Sequence, residues 1–146
     1  MTETVFVDTN VLIYAREAAE SAKRERAVLW MKELWLDSNG RLSFQVLQEY
    51  FAKLMHKKPE LRDQTRADIR DLLAWQPVVI DAAVLDRAWK IQDRYRLSFW
   101  DSLIVAAAKA ASCRWLLTED LQADQVLDGI TVINPFLCTP DQLQVR

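Results

Sequence analysis

Short apolar runs alternating with helix-period stretches constrain this chain more than any other feature. The runs are TVFVD at 4–8, RLSF at 41–44, PVVI at 77–80, RWLLT at 114–118 and ITVI at 130–133. They are short, rich in β-branched and aromatic residues, and charged only at an end (Asp8, Arg41, Arg114), which is the pattern of strands buried on both faces. The stretches between them, 9–19, 22–36, 45–57, 62–75, 82–95 and 97–111, carry apolar residues three and four apart. In the second of these, the apolar positions Ala27, Val28, Trp30, Met31, Leu34 and Trp35 recur at three and four. That spacing belongs to amphipathic helices. Strands joined through helices make βαβ units, and βαβ units make a mostly parallel sheet. The expected fold is a three-layer α/β/α sandwich. With 146 residues, one domain spanning 1–146 accommodates it.

Punctuation supports these boundaries. Ser21 is placed to cap the second helix, and Asp81 the helix over 82–95. DSNG at 37–40 stops the second helix, with Gly40 as the expected left-handed residue. Pro59 ends the helix over 45–57, while Pro135 and Pro140 mark an irregular tail.

Composition narrows the function classes. No apolar stretch approaches the roughly 20 residues of a membrane span. Glu3 and Asp8 interrupt the first apolar stretch, so no secretory leader is expected and the reading is a cytoplasmic protein without a membrane partner. Cys113 and Cys138 are the only cysteines, without a histidine cluster, which argues for buried thiols over a zinc site. The formal charge of −2 argues against nucleic-acid binding by long-range charge alone, since proteins that bind that way are usually basic. A nucleic-acid ligand would need a local basic patch or bound cations. Lys23, Arg24 and Arg26, with Lys53, Lys57 and Lys58, are the candidate phosphate contacts, although each also suits a solvated helix face.

In an open parallel sheet, sites form beyond the carboxyl ends of the strands. Four acids have that address: Asp8 after the first strand, Glu49 a turn beyond the second, Asp101 in the first turn of the apolar helix, and Asp120 just after the fourth. Each alone has an ordinary structural role, as helix cap, solvated charge, dipole partner or turn residue. Glu49 beside Tyr50 and Phe51, and Asp101 beside Trp100, are embedded in apolar sequence, where a carboxylate is costly to bury. Gathered carboxylates repel one another and raise each other's pKa, a conflict that a hard divalent cation resolves. His56, the only histidine, lies among lysines and offers no Ser–His or Cys–His pair.

VFVDTNVLIYA, LSFQVLQEYF, LSFWDSLIVAAA and LLTEDL, in that order and on these elements, resemble the PIN-domain ribonucleases, and more closely the VapC toxins of bacterial VapBC toxin–antitoxin modules. The likeness extends to VINPF at 132–136. It implies that Asp8, Glu49, Asp101 and Asp120 are the catalytic and metal-holding acids, and that Thr9, Asn10 and Thr118 support the pocket. QADQ follows TEDL where many relatives carry a basic or glycine-containing turn, so Asp124 competes with Asp120 for the fourth position. The implied activity is Mg²⁺-dependent cleavage of RNA by metal-activated water, with Mn²⁺ as a substitute, leaving a 5′-phosphate and a 3′-hydroxyl. The implied partners are an RNA substrate, a cognate antitoxin and a second copy of the chain in a homodimer. A catalytically inactive interaction module of the same fold is the competing reading. A haloacid-dehalogenase-like phosphatase also begins with an acid after its first strand, but it needs D-x-D, and position 10 is Asn.

Overall fold

Val5–Val7 form the central strand, β1, and all three of its side chains are fully buried. Successive strand residues point to opposite faces, so both faces of the sheet are covered. The computed structural model describes residues 3–17 and 21–144. β1 pairs in parallel with β2 (Gly40–Arg41) on one side and β3 (Trp115–Leu117) on the other. β3 pairs in parallel with β5 (Ile130–Ile133), and β4 (Val126–Leu127) closes that edge antiparallel to β5. The order is β2-β1-β3-β5-β4, a mostly parallel sheet in a mixed α/β fold, as the alternating pattern predicts.

Seven helices are described: α1 (Thr9–Arg16), α2 (Ser21–Asp37), α3 (Phe44–Lys57), α4 (Arg62–Leu72), α5 (Ala82–Tyr95), α6 (Phe99–Ala110) and α7 (Pro140–Gln144). α1 packs on α2 and α3, α3 on α4, and α5 on α6. α6 is buried from Ser102 to Ala108, and it is the helix that rests on β3 and β5. Trp30 of α2 is fully buried and donates its indole N–H to the carbonyls of Pro135 and Cys138, 3.1 and 3.0 Å away. That bond pins the C-terminal segment to the core. Cys113 and Cys138 are both buried, as expected, and burial pushes the Cys113 thiol up to about 11. Among the described residues, no helix is long and apolar enough to cross a membrane.

Several expected elements differ. PVVI at 77–80 is not a sheet strand: only Val78 forms a parallel bridge, with Ser43. Pro77 lacks an N–H, Val79 is 64% exposed, and Asp81 leaves to cap α5 through Val84 N, so pairing cannot extend. RLSF is shortened because Ser43 Oγ accepts from Val46 N and starts α3 at Phe44. The first helix ends at Arg16, and residues 18 and 19 of the expected span lie outside the described residues, as does the side chain of Ser21. The helix over 62–75 tightens to a 3₁₀ turn at Leu73–Trp75, and Pro59 opens a 3₁₀ turn rather than only ending α3. The tail holds α7, with Pro140 at its first position, where its missing N–H costs nothing.

The two glycines of the chain have different reasons to be there. The left-handed residue after α2 is Ser38, not Gly40. Gly40 lies in β2, where a Cβ would come within 2.4 Å of the Trp75 ring. Gly129 has φ +84°, and with Asp128 at φ +52° it makes the tight turn between β4 and β5. Tyr95 Oη accepts from Asp128 N at 2.9 Å and Lys109 Nζ donates to Asp128 O at 2.9 Å, so α5 and α6 both hold this turn.

Candidate active site

Asp8 ends β1 and caps α1 at once. Its main-chain N–H donates to Leu117 O at 3.1 Å, which carries the β1–β3 ladder one residue past the strand. Its Oδ1 accepts from Thr9 N at 2.7 Å, and its Oδ2 accepts from Thr118 Oγ1 at 2.8 Å and Asn10 Nδ2 at 3.4 Å. The side chain is buried. Burial pushes its carboxyl up to about 6; the bonds from Thr118 and Thr9 act against that rise, and the charges of Asp120 and Glu49 add to it.

Glu49, Asp101 and Asp120 share one open cleft of about 510 Å³ with Asp8, Thr9 and Asn10. The structure thus brings all four expected acids to one place, from α1's entry, α3, α6 and the segment after β3. Glu49 accepts from Thr9 Oγ1 at 3.1 Å and from Gln45 Nε2 at 2.8 Å, with Lys53 Nζ 4.0 Å away. Asp101 stands in the first turn of α6, where Ser98 caps the helix by accepting from Asp101 N at 3.1 Å. Partial burial raises the Asp101 carboxyl, a bond with Ser98 lowers it, and Asp120 and Glu49 raise it again. Asp120 accepts from Asn10 Nδ2 at 3.1 Å, and its N–H donates to Thr118 Oγ1 at 3.1 Å. The competing acid, Asp124, is exposed, does not line the cleft, and spends its N–H on Val132 O at 2.8 Å.

Asn10 and Thr118, two of the expected supporting residues, join the segments. The Asn10 amide reaches Asp8, Thr118 and Asp120 together. Of the six basic candidates, only Lys53 lines the cleft. Lys23 pairs with Glu119 at 3.1 Å and lies over the Tyr14 and Phe136 rings, and Arg26 donates to Pro135 O at 3.3 Å. Lys57 faces Glu17 at 3.6 Å. His56 is exposed in the last turn of α3, away from the cleft lining. Gln45, Gln48, Trp100 and Ile104 line the cleft without having been singled out as site residues. Gln45 had a readable signal, since an amide four residues before a glutamate on a helix meets it on the same face.

The donor set is chemically suited to a hard divalent cation: carboxylate oxygens, one of them buried and crowded by like charge. Neutral oxygens add to it, because Asn10 Oδ1 and Gln45 Oε1 are buried without a hydrogen-bond partner. Among the described residues, however, no three such ligands are drawn together closely enough to hold a metal ion as they stand. Asp8, Glu49 and Asp120 are each held by protein donors.

The sequence profile of the PIN domain matches residues 5–127. Among curated proteins, no relative matches. Solved structures do. One chain of a toxin–antitoxin complex from Klebsiella pneumoniae is 19% identical, with TM-score 0.64 and coverage of 90% of this chain and 98% of that one. The DNA-bound VapBC from Salmonella typhimurium gives 16% identity and TM-score 0.65 over 92% and 99%. VapC20 from Mycobacterium tuberculosis, a sarcin–ricin-loop-cleaving toxin, gives 21% identity and TM-score 0.61 over 77% and 87%. These likenesses speak for the fold, and the profile, which spans most of the sequence from β1 to β4, settles the family: the chain belongs to the PIN-domain family.

Proposed function

We propose that this protein is a metal-dependent endoribonuclease and the toxin half of a toxin–antitoxin pair. The observation that carries the reading is the convergence of Asp8, Glu49, Asp101 and Asp120 on one cleft, with the buried Asp8 carboxyl pushed up to about 6. Asp8 is the central ligand for Mg²⁺, or Mn²⁺ in its place, with Glu49, Asp101 and Asp120 completing the set. Such an ion, when bound, supplies a hydroxide-like water near neutral pH and neutralises charge at a phosphodiester. The chain's own residues do the rest. Thr118 and Thr9 fix the Asp8 carboxylate, Asn10 ties Asp8 to Asp120, and Gln45 aims Glu49. The partner reading is supported by α2, which leaves Val28, Leu29, Trp35 and Leu36 exposed, an apolar surface suited to an antitoxin segment. One structural relative is itself a toxin that cleaves the sarcin–ricin loop. A homodimer acting in the cytoplasm belongs to the same proposal.

A second reading is favoured by one observation: the acids are tied to protein donors, and among the described residues no three form a ready-made cation cage. That arrangement suits a PIN-fold module that binds a partner without catalysis. The test is total RNA incubated with the purified protein in Mg²⁺, in Mn²⁺ and in chelator, with Asp8→Asn beside the wild type. The nuclease reading requires discrete, metal-dependent cuts that Asp8→Asn and Asp101→Asn lose and His56→Ala keeps. Glu49→Gln and Asp120→Asn retain a trace. Intact RNA in every lane, with a folded protein, establishes the binding module instead.

A further inference from the structure

Trp100 is the feature of the cleft that the acids do not explain. It occupies the second position of α6, next to Asp101, and is 63% exposed. Its ring meets Phe99 edge-to-face at 5.3 Å, and Phe99 packs against the core, so the indole is steadied although most of it faces solvent. Its neighbours along the cleft are carboxylates, the amides of Gln45 and Gln48, and Lys53. The centre of a protein–protein interface is depleted of charge, so this setting does not suit a subunit contact. A large, exposed aromatic beside a phosphate-handling site does suit a base, since every nucleobase offers a π-face. Lys53 lies one helical turn beyond Glu49, and its side chain is 60% exposed. It supplies a cation on the same cleft in a protein whose formal charge is −2.

We propose that Trp100 is a stacking platform for one nucleobase of a single-stranded RNA lying in the cleft, with Lys53 taking a neighbouring phosphate. The proposal rests on the ribonuclease reading. It makes Trp100 a positioning residue: it sets which nucleotide stands next to the acids, and touches none of the reacting atoms. Sequence-tolerant stacking plus one local cation supplies the grip that the overall charge denies.

The test uses fluorescence anisotropy of a fluorescein-labelled oligoadenylate in the Asp8→Asn background, where cleavage is silent. A companion series carries a single abasic site at each position in turn. Adding Trp100→Ala weakens binding on the order of ten- to a hundredfold, and Trp100→Tyr recovers most of it. One abasic position weakens binding to the parent and not to Trp100→Ala, a coupling that a merely structural role would not produce. Lys53→Gln lowers the salt dependence by roughly one phosphate contact. Equal binding by Trp100→Ala and its parent overturns the proposal. So does a loss accompanied by dimer-to-monomer conversion in sedimentation with every abasic penalty unchanged, which makes Trp100 a subunit contact. Cleavage of total RNA by the protein with Asp8 intact is measured in parallel. If that protein neither cuts nor binds RNA, the ribonuclease reading and the proposal fall together. If it does both while Trp100→Ala behaves identically, only the proposal falls.

Discussion

Asp8 caps α1 with one carboxylate oxygen and meets Thr118 and Asn10 with the other, yet burial still holds its proton more tightly than water would. The folded protein releases that proton at about 6, the unfolded chain near 3.8. Between those values the native state binds more protons, so stability falls as pH rises through the window and the penalty is fully present above it. At about 1.4 kcal/mol per unit, the effect is at most about 3 kcal/mol. Urea denaturation in chelator is expected to show the metal-free wild type losing stability from pH 4 to 7 relative to Asp8→Asn; parallel curves would remove Asp8 as the source. The same scale holds Gly40. A Cβ there meets the Trp75 ring at 2.4 Å, and Trp75 is buried and leans on Trp35 at 5.7 Å, so it has little room to yield. Gly40→Ala is expected to cost roughly 1–3 kcal/mol by urea denaturation, as overpacking does. Trp75→Leu in the same chain is expected to recover part of that loss, and additive losses would mean the two do not collide.

The helix α6 shows how an ordinary structural role and a proposed chemical one share residues. Ser98 caps the helix through Asp101 N, and the same serine steadies the Asp101 carboxylate. Ser98→Ala is expected to lower stability by about 1 kcal/mol, as lost caps do, and to weaken Mn²⁺ binding measured by calorimetry. Unchanged metal affinity would restrict Ser98 to capping. This double use is also why each acid looked unremarkable alone in the sequence and only the ordered set spoke. Strands β1, β3 and β5 were legible because continuous apolar runs have few alternatives to burial. The 77–80 run was not a strand, because Pro77 and the Asp81 cap remove the pairing that its composition invites. β4 went unread because two residues give no period, although the Asp128–Gly129 turn beside it was a signal on offer. Trp100 is invisible as a site residue for a different reason. Its importance lies in facing the cleft, and facing is a tertiary fact.

Across the whole molecule, the cleft is a meeting of distant segments, so the cation binding proposed for it would be coupled to folding. A ligand bound only by the native state stabilises it by about 2.7 kcal/mol at a hundred times its dissociation constant. The wild-type melting temperature is therefore expected to rise with Mn²⁺ at fixed ionic strength, and Asp8→Asn to lose most of that rise. A shift that is absent, or equal in both proteins, would sink the acids as a metal site. The Asn10 amide, bonded to Asp8, Thr118 and Asp120, carries the furthest consequence. Asp8 and Asn10 come before Thr118 and Asp120 in order of synthesis, and the Asn10 bonds to those two span 108 and 110 residues. A nascent chain that has emerged only through α6 holds three of the acids without the threonine that fixes the central one. On the proposed function the site is incomplete until Thr118 has been made, and a protein truncated before Thr118 is expected to show neither RNA cleavage nor a Mn²⁺-dependent melting shift.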